Sequence, residues 1–289
     1  MAVDKSILRS IFPRPEQTVF DRIEEKYLSD TLGRKKGRAE ALVFPESTEQ
    51  VSRLLAYAHE NRIPVTPRGA GTNLVGSTVP LDGGIILDLS HMNRILELDR
   101  DTMTVTVEPG ILLQDLQRYV EERGLFYPPD PGDKESSIGG NISTNAGGMR
   151  AVKYGVTRDY VRGLEVVLAD GTVLQAGGKC VKDASGLSLK NLFVGSEGTL
   201  AVITKCILKL IPKPEASVSV LVPYADLEKG ITSVLAILQA GADPTAVEFI
   251  QRKVVALGER YSGVQYPCPE AGSFILLTFD GHASQVQES

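Results

Sequence analysis

The residues best placed to do chemistry in this chain are small ones that expose backbone. Pro67-Arg-Gly-Ala-Gly-Thr-Asn-Leu74 directly follows a short apolar run. Gly69 and Gly71 carry no Cβ, so consecutive N–H groups can turn toward an anion, and Arg68 and the Thr72 hydroxyl offer further donors. Pro67, Ala70 and Asn73 complete the turn. A plain surface turn is the alternative reading of this loop alone. A dinucleotide fingerprint would need a third glycine at Leu74 and a helix opening after it, and a nucleotide P-loop would need a following Gly-Lys-Ser/Thr. The sequence has neither.

Three further stretches share this composition. Pro129-Asp-Pro-Gly-Asp-Lys-Glu-Ser-Ser137 and Gly139-Gly-Asn-Ile-Ser-Thr-Asn-Ala-Gly-Gly148 form one ribbon of small and amide-bearing residues, suited to pressing backbone against a flat ring. Between Pro128 and Gly148 neither helical nor strand periodicity is present, and about twenty structureless residues inside a domain are usually functional. Gly195-Ser-Glu-Gly-Thr-Leu-Ala-Val-Ile-Thr204 is a turn running into a strand, suited to an extended ligand. Together the four stretches are hard to explain as ordinary turns.

The elements that must position these loops follow from periodicity. A helix is expected over Val19–Leu28. Ala41–Pro45 is a strand, Ser47-Thr-Glu-Gln50 has capping-box spacing, and Val51, Leu54, Leu55 and Ala58 follow at helical intervals before a strand at Ile63–Pro67, giving a β-α-β unit. Strands are expected at 85–89, 95–98 and 103–107, and a helix at 112–122 that Gly124 ends. Asp170-Gly171 predicts a hairpin between 164–168 and 172–174. After the strand 201–211, Pro212-Lys-Pro214 marks a boundary. The remainder reads as strand 217–222, helix 227–238, strand 246–250, helix 253–261 and strand 274–279.

Composition narrows the class. The 289 residues are 42% hydrophobic and 23% charged, as in ordinary globular proteins, and a net charge of −5 gives no electrostatic reason to expect nucleic acid. There are 28 glycines, with much of the excess between Gly69 and Gly198. Arg34, Lys35, Lys36 and Arg38 read as a solvated loop. Cys180, Cys206 and Cys268 lack a C-x-x-C pair or nearby His and read as reduced thiols, so no metal site is expected. His59 falls on the exposed side of a helix, His91 in a strand-end turn and His282 in the tail, and no His-Asp-Ser arrangement suggests nucleophilic catalysis. With neither an apolar leader nor a membrane-length run, the expectation is a cytoplasmic protein without a transmembrane segment, with peripheral attachment at the inner face of the membrane left open.

P-R-G-A-G-T-N-L, the D-P-G…S-I-G-G-N…N-A-G-G run, K-Y-G at Lys153–Gly155 and G-S-E-G-T-L-A-V-I-T together resemble the FAD domain of the vanillyl-alcohol-oxidase family. Within it they resemble the branch that holds the glycolate oxidase FAD subunit and the D-lactate and D-2-hydroxyglutarate dehydrogenases. The resemblance is strong from Ala41 to Pro214 and weaker beyond. It implies an α+β fold: a two-subdomain PCMH-type FAD-binding domain over residues 37–214 (subdomains about 37–98 and 99–214), after a helical segment 1–36, and then a partial α+β cap domain over 215–289.

The resemblance also implies roles. Pro67, Arg68, Gly69, Ala70, Gly71, Thr72 and Asn73 would hold the pyrophosphate. Pro131, Gly132, Ser137, Gly140, Asn141, Thr144, Asn145, Ala146 and Gly147 would lie along the ribityl chain and isoalloxazine, while Glu197, Gly198, Val202 and Ile203 would complete the adenine end. Several relatives attach flavin through a His after the R-G-x-G turn; Thr72 stands here, so non-covalent FAD is implied. The expected activity is oxidation of a small D-2-hydroxy acid such as glycolate or D-lactate by hydride transfer to flavin N5, with a quinone, cytochrome or iron–sulfur subunit as electron acceptor. The family's C-terminal H-x-G-D-G-N-type segment, source of its base and metal ligands, has no counterpart between Pro214 and Ser289, and relatives tend to carry an acidic residue near Gln251. No catalytic residue is therefore named, and an FAD-binding or electron-transfer module without its own substrate site is the alternative.

Overall fold

The computed structural model describes residues 3–288. The chain divides into two compact units, the first being residues 1–127, 133–146 and 157–211, and the second 128–132, 147–156 and 212–289.

Unit 1 begins with α1 (Lys5–Ile11), which buries Leu8 and Ile11 and is capped by the Asp4 carboxylate, accepting the N–H groups of Ser6 and Ile7. The helix expected over Val19–Leu28 is absent. The segment instead holds a two-residue strand, β1 (Thr18–Val19), and a single turn, α2 (Glu25–Leu28). Val19, Ile23, Tyr27 and Leu28 are half-buried and still form the inward set, packing on the buried Leu42, Phe44 and Ile86. Val19 satisfies its backbone by pairing with Leu42, and Arg22 at φ 58° breaks any helix between.

β2 (Ala41–Val43), α3 (Thr48–Glu60) and β3 (Val65–Arg68) form the expected β-α-β unit, with β4 (Ile85–Asp88) inserted between the two strands and parallel to both. Ser47 Oγ accepts the N–H of Gln50, starting α3 where the capping spacing puts it. A second sheet runs in the order β5-β6-β9-β7-β8, from β5 (Ile95–Asp99), β6 (Thr104–Val107), β7 (Val161–Val167), β8 (Val173–Gly177) and β9 (Val202–Lys209). The Asp170-Gly171 turn joins β7 to β8 as an antiparallel hairpin.

The two sheets share one core. Val51, Leu54, Leu55 and Ala58 of α3 pack with Ile85 and Leu87 of the first sheet and with Val167 and Val202 of the second. Each fully buried Leu or Val stabilises by about 1.5–3 kcal/mol before entropy is counted. A polar knot adds direction: Glu165 accepts from Thr48 Oγ1 at 2.6 Å, Gln175 Nε2 at 2.6 Å, Thr204 Oγ1 at 2.9 Å and Lys205 Nζ at 2.9 Å. Burial pushes its carboxyl upward, but these donors outweigh it and hold Glu165 below the usual glutamate range.

α4 (Leu113–Glu121) buries Leu113, Leu116 and Val120. The stretch 128–148, expected to lack regular structure, contains the helix α5 (Ile138–Thr144). Ser137 caps it by accepting the N–H of Gly140, Ile138 and Ile142 are fully buried, and Gly139 lies flat on Pro109. Two glycines erase the helical signature from the sequence, and tertiary packing restores it.

In unit 2, β10 (Ala216–Tyr224), α6 (Leu227–Gln239), β11 (Ala246–Gln251), α7 (Arg252–Ser262) and β12 (Ser273–Gly281) match the expected order of elements. β12 lies between β10 and β11 and runs antiparallel to both, so β10-α6-β11 is a split β-α-β unit. Phe274 packs with Val255 and Ala271, while Ile275, Leu277 and Phe279 pack with Val222, Val234 and Ile237.

Candidate functional site

The glycine turn after β3 is held from beneath. Arg68 is buried, and its guanidinium donates to the Lys26 carbonyl at 2.8 Å and to Thr78 Oγ1 at 3.3 Å, lies 3.8 Å from the Asp88 carboxylate and covers the Tyr27 ring. Burial lowers the Arg68 pKa and raises that of Asp88; for Asp88 the Ser90 hydrogen bond and Arg68 itself oppose the shift. Arg68 is thus a pin under the turn rather than a donor aimed out of it. Gly71, at φ +74°, packs on that guanidinium, which a Cβ would strike. Among the described residues, the N–H groups of Gly71, Thr72 and Asn73 have no protein acceptor. Asn73 closes the turn by accepting the N–H groups of Val75 and Ser77 and donating to Thr78 Oγ1.

Ser137 joins this turn to α5. Its Oγ accepts the N–H of Ala70 at 3.2 Å as well as that of Gly140, and any Cβ on Gly69 would strike it. At the other end of α5, Asn145 adopts the left-handed conformation; its side chain accepts the N–H of Arg158, while the Ala146 carbonyl accepts from Thr157 Oγ1 at 2.7 Å. Asn141 is buried, and Thr144 is exposed with its hydroxyl turned back to the Gly140 carbonyl. The Gly195–Thr204 stretch docks on the same helix end: the N–H of Gly195 donates to the Ile142 carbonyl at 3.0 Å and that of Glu197 to the Ser143 carbonyl at 2.8 Å. The Pro67–Leu74 turn, the 137–146 part of the ribbon and the Gly195–Thr204 stretch therefore converge in unit 1.

Where Gly198 faces Pro67, a cavity of about 520 Å³ opens, lined by Leu55, Ile63, Val65, Pro67, Leu200 and Val202 among others, with His59 and Arg62 in its wall. Ile203, one residue along β9 from Val202, points to the opposite side of the strand and is not in the lining. The α3 and β3 side chains of this cavity escaped the sequence reading, which followed glycines; their only signal was helical spacing, and that equally describes a core face. Pro131, Gly132 and Gly147 are placed in unit 2. The arrangement in unit 1 can hold an anion over the Gly71–Asn73 backbone and a flat apolar group beside Pro67. Among the described residues no group of three or more His, Cys, Asp or Glu is placed to hold a metal ion. Cys206 is buried, and burial raises its thiol pKa.

A model of FAD binding domains matches residues 39–177, and one of the C-terminal domain of FAD linked oxidases matches residues 213–289. The chain carries an FAD binding domain followed by a C-terminal domain of the FAD linked oxidases. It is 44% identical to the glycolate oxidase subunit GlcD of Bacillus subtilis over 90% of this chain and 56% of that protein. It is 45% identical to a D-lactate dehydrogenase of Anaerostipes hadrus, over 93% of this chain and 58% of the relative. The chain thus spans little more than half the length of these curated relatives. Among solved structures, an alkyldihydroxyacetonephosphate synthase matches with a TM-score of 0.83 at 21% identity, covering 99% of this chain and 57% of that one. A p-cresol methylhydroxylase matches with a TM-score of 0.81 at 20% identity, covering 98% and 61%. These two share the fold. Among the described residues, no helix is long and apolar enough to cross a membrane.

Proposed function

We propose that this chain is the FAD-holding part of an oxidoreductase that oxidises a small D-2-hydroxy acid such as glycolate or D-lactate. The observation that carries the reading is the convergence of the Pro67–Asn73 turn, the capped end of α5 and the Gly195–Thr204 stretch on Ser137 and Pro67. The donor set fits the cofactor. The Gly71, Thr72 and Asn73 N–H groups suit a pyrophosphate, and the cavity beside Pro67, Gly198 and Val202, with apolar side chains and His59 and Arg62 in its wall, suits an adenine. By the family resemblance, Pro131, Gly132, Ser137, Gly140, Asn141 and the Thr144–Gly147 turn run along the ribityl chain and isoalloxazine.

Bound FAD supplies a two-electron acceptor for the hydride leaving the substrate Cα. The chain's own residues bind and orient it: Arg68 fixes the turn, Ser137 couples turn to helix, and Gly69 admits the close approach. A quinone, a cytochrome or an iron–sulfur subunit would be the electron acceptor, and the proposed location is the cytoplasm, with attachment at the inner face of the membrane as the alternative. The 44% and 45% identities to a glycolate oxidase subunit and a D-lactate dehydrogenase support the substrate class.

A second reading is an FAD-binding or electron-transfer module without its own substrate site, residues 214–289 carrying no H-x-G-D-G-N-type segment. One experiment separates the two. The FAD-loaded chain is mixed anaerobically with glycolate, D-lactate and D-2-hydroxyglutarate in turn. Bleaching of the visible flavin bands by one acid establishes the dehydrogenase and names its substrate. Bands that persist with all three select the FAD-holding module.

A further inference from the structure

The segments 128–132 and 147–156 interrupt unit 1 in sequence, yet each belongs to the compact unit built on the C-terminal sheet. They carry Pro131, Gly132 and Gly147, members of the set assigned above to the ribityl chain and isoalloxazine. Within this unit the two segments touch directly. Gly148 lies against the Asp130 carbonyl so closely that a Cβ would collide with it, and the Arg150 guanidinium stands 3.6 Å from the Asp130 carboxylate.

The second segment is tied to the sheet by one carboxylate. Asp280, near the end of the central strand β12, is 8% exposed. Its Oδ1 accepts from Thr245 Oγ1 at 2.6 Å, from the Tyr154 hydroxyl at 2.8 Å and from Lys153 Nζ at 3.1 Å; Lys153 Nζ also donates to the Asp280 carbonyl at 2.6 Å. Asp243 adds a more distant carboxylate, 3.5 Å from Lys153 Nζ. Apolar contact alone would let the helical turn Ala151–Tyr154 slide on the sheet. A buried carboxylate with three directional donors, one of them charged, fixes both its place and its rotation.

We infer that Asp280 is a positioning residue: through Lys153 and Tyr154 it sets the 147–156 segment, and through Gly148 and Arg150 the 128–132 turn, in the conformation that meets the flavin ring. This rests on the proposed FAD site. The lysine and tyrosine of the K-Y-G motif thereby have a use within the fold.

The test uses the full chain, with and without FAD, as wild type, D280A and Y154F; the last removes a single hydroxyl and keeps the test valid should D280A fail to fold. Amide exchange across 148–155 should speed up by about tenfold in Y154F, the loss of one charge-assisted hydrogen bond, while exchange in the 67–73 turn stays unchanged. In the FAD-loaded protein the flavin reduction potential should shift, while FAD affinity stays within about threefold, because the turn assigned to the pyrophosphate lies in unit 1. Unchanged exchange across 148–155, or an unchanged potential beside faster exchange, overturns the inference and leaves Asp280 a stabilising residue only. A chain that takes up no FAD while exchange across 148–155 responds as expected removes the flavin reading and leaves the Asp280 anchor standing.

Discussion

The two units treat the same kind of side chain differently. On α3 of unit 1, Val51 and Leu54 are fully buried, and the β-sheets behind them close over one core. On α6 and α7 of unit 2, Ile231 is 56% exposed, Leu235 59% and Leu257 63%, and Val218 on the edge strand β10 is 49% exposed. Amphipathic spacing in a sequence says which face of an element seeks cover; it does not say whether the chain in hand supplies that cover. Unit 1 supplies it. Unit 2 leaves apolar surface on the outside, in a chain that spans 56–58% of its curated relatives.

Substitutions can sharpen or break that contrast. The largest effect is expected from R68M, which strips the pin from the glycine turn and leaves the buried Asp88 carboxylate without its ion partner. Unit 1 should lose about 3–5 kcal/mol and FAD binding should be lost with it, while the unit 2 transition holds its midpoint. Denaturant unfolding followed by hydrogen exchange reads both units separately. Next, L54A should cost about 2–5 kcal/mol, whereas L235A on the exposed face of α6 should stay within about 0.5 kcal/mol. Equal losses at the two sites would erase the contrast.

The exposed face should also act between molecules. Light scattering over a concentration series is expected to reveal self-association that the double variant I231E/L235E reduces; a monodisperse monomer throughout counts against it. A smaller loss than that of R68M or L54A belongs to Glu165. Its carboxyl is held below the ordinary value, so the stability it contributes is present above the unfolded pKa and disappears as pH falls through the folded one. E165Q should therefore lower stability by roughly 1 kcal/mol at neutral pH, with a gap from wild type that narrows below about pH 4.5. A gap that widens on acidification would reverse the assignment.

Much of this was legible from local rules. The Ser47–Gln50 spacing placed the start of α3, Asp170-Gly171 placed the β7–β8 hairpin, and the strands read at 217–222, 246–250 and 274–279 are the three strands of unit 2. What escaped depended on distant partners. The Val19–Leu28 spacing was read as a helix because burial on Leu42 and Ile86 gives the same pattern as helical periodicity. α5 went unseen because Gly139 and Gly140 are poor helix formers, and its stability comes from Ser137 and from Pro109. Arg68 looked like an anion donor because nothing local announces Lys26, Thr78 and Asp88 as its partners. Likewise, the attachment of 147–156 to Asp280 joins residues more than a hundred positions apart, beyond the reach of any motif.

The central claim is that the turn over Arg68, the capped end of α5 and the cavity beside Pro67 hold FAD without a covalent bond. The most direct test is to incubate the purified chain with FAD, remove free cofactor by desalting, record the visible spectrum, then unfold the protein and separate polypeptide from small molecules. The account predicts flavin bands at one FAD per chain after desalting, and all of the flavin in the small-molecule fraction after unfolding. A colourless desalted protein, or flavin that stays on the unfolded polypeptide, would contradict it.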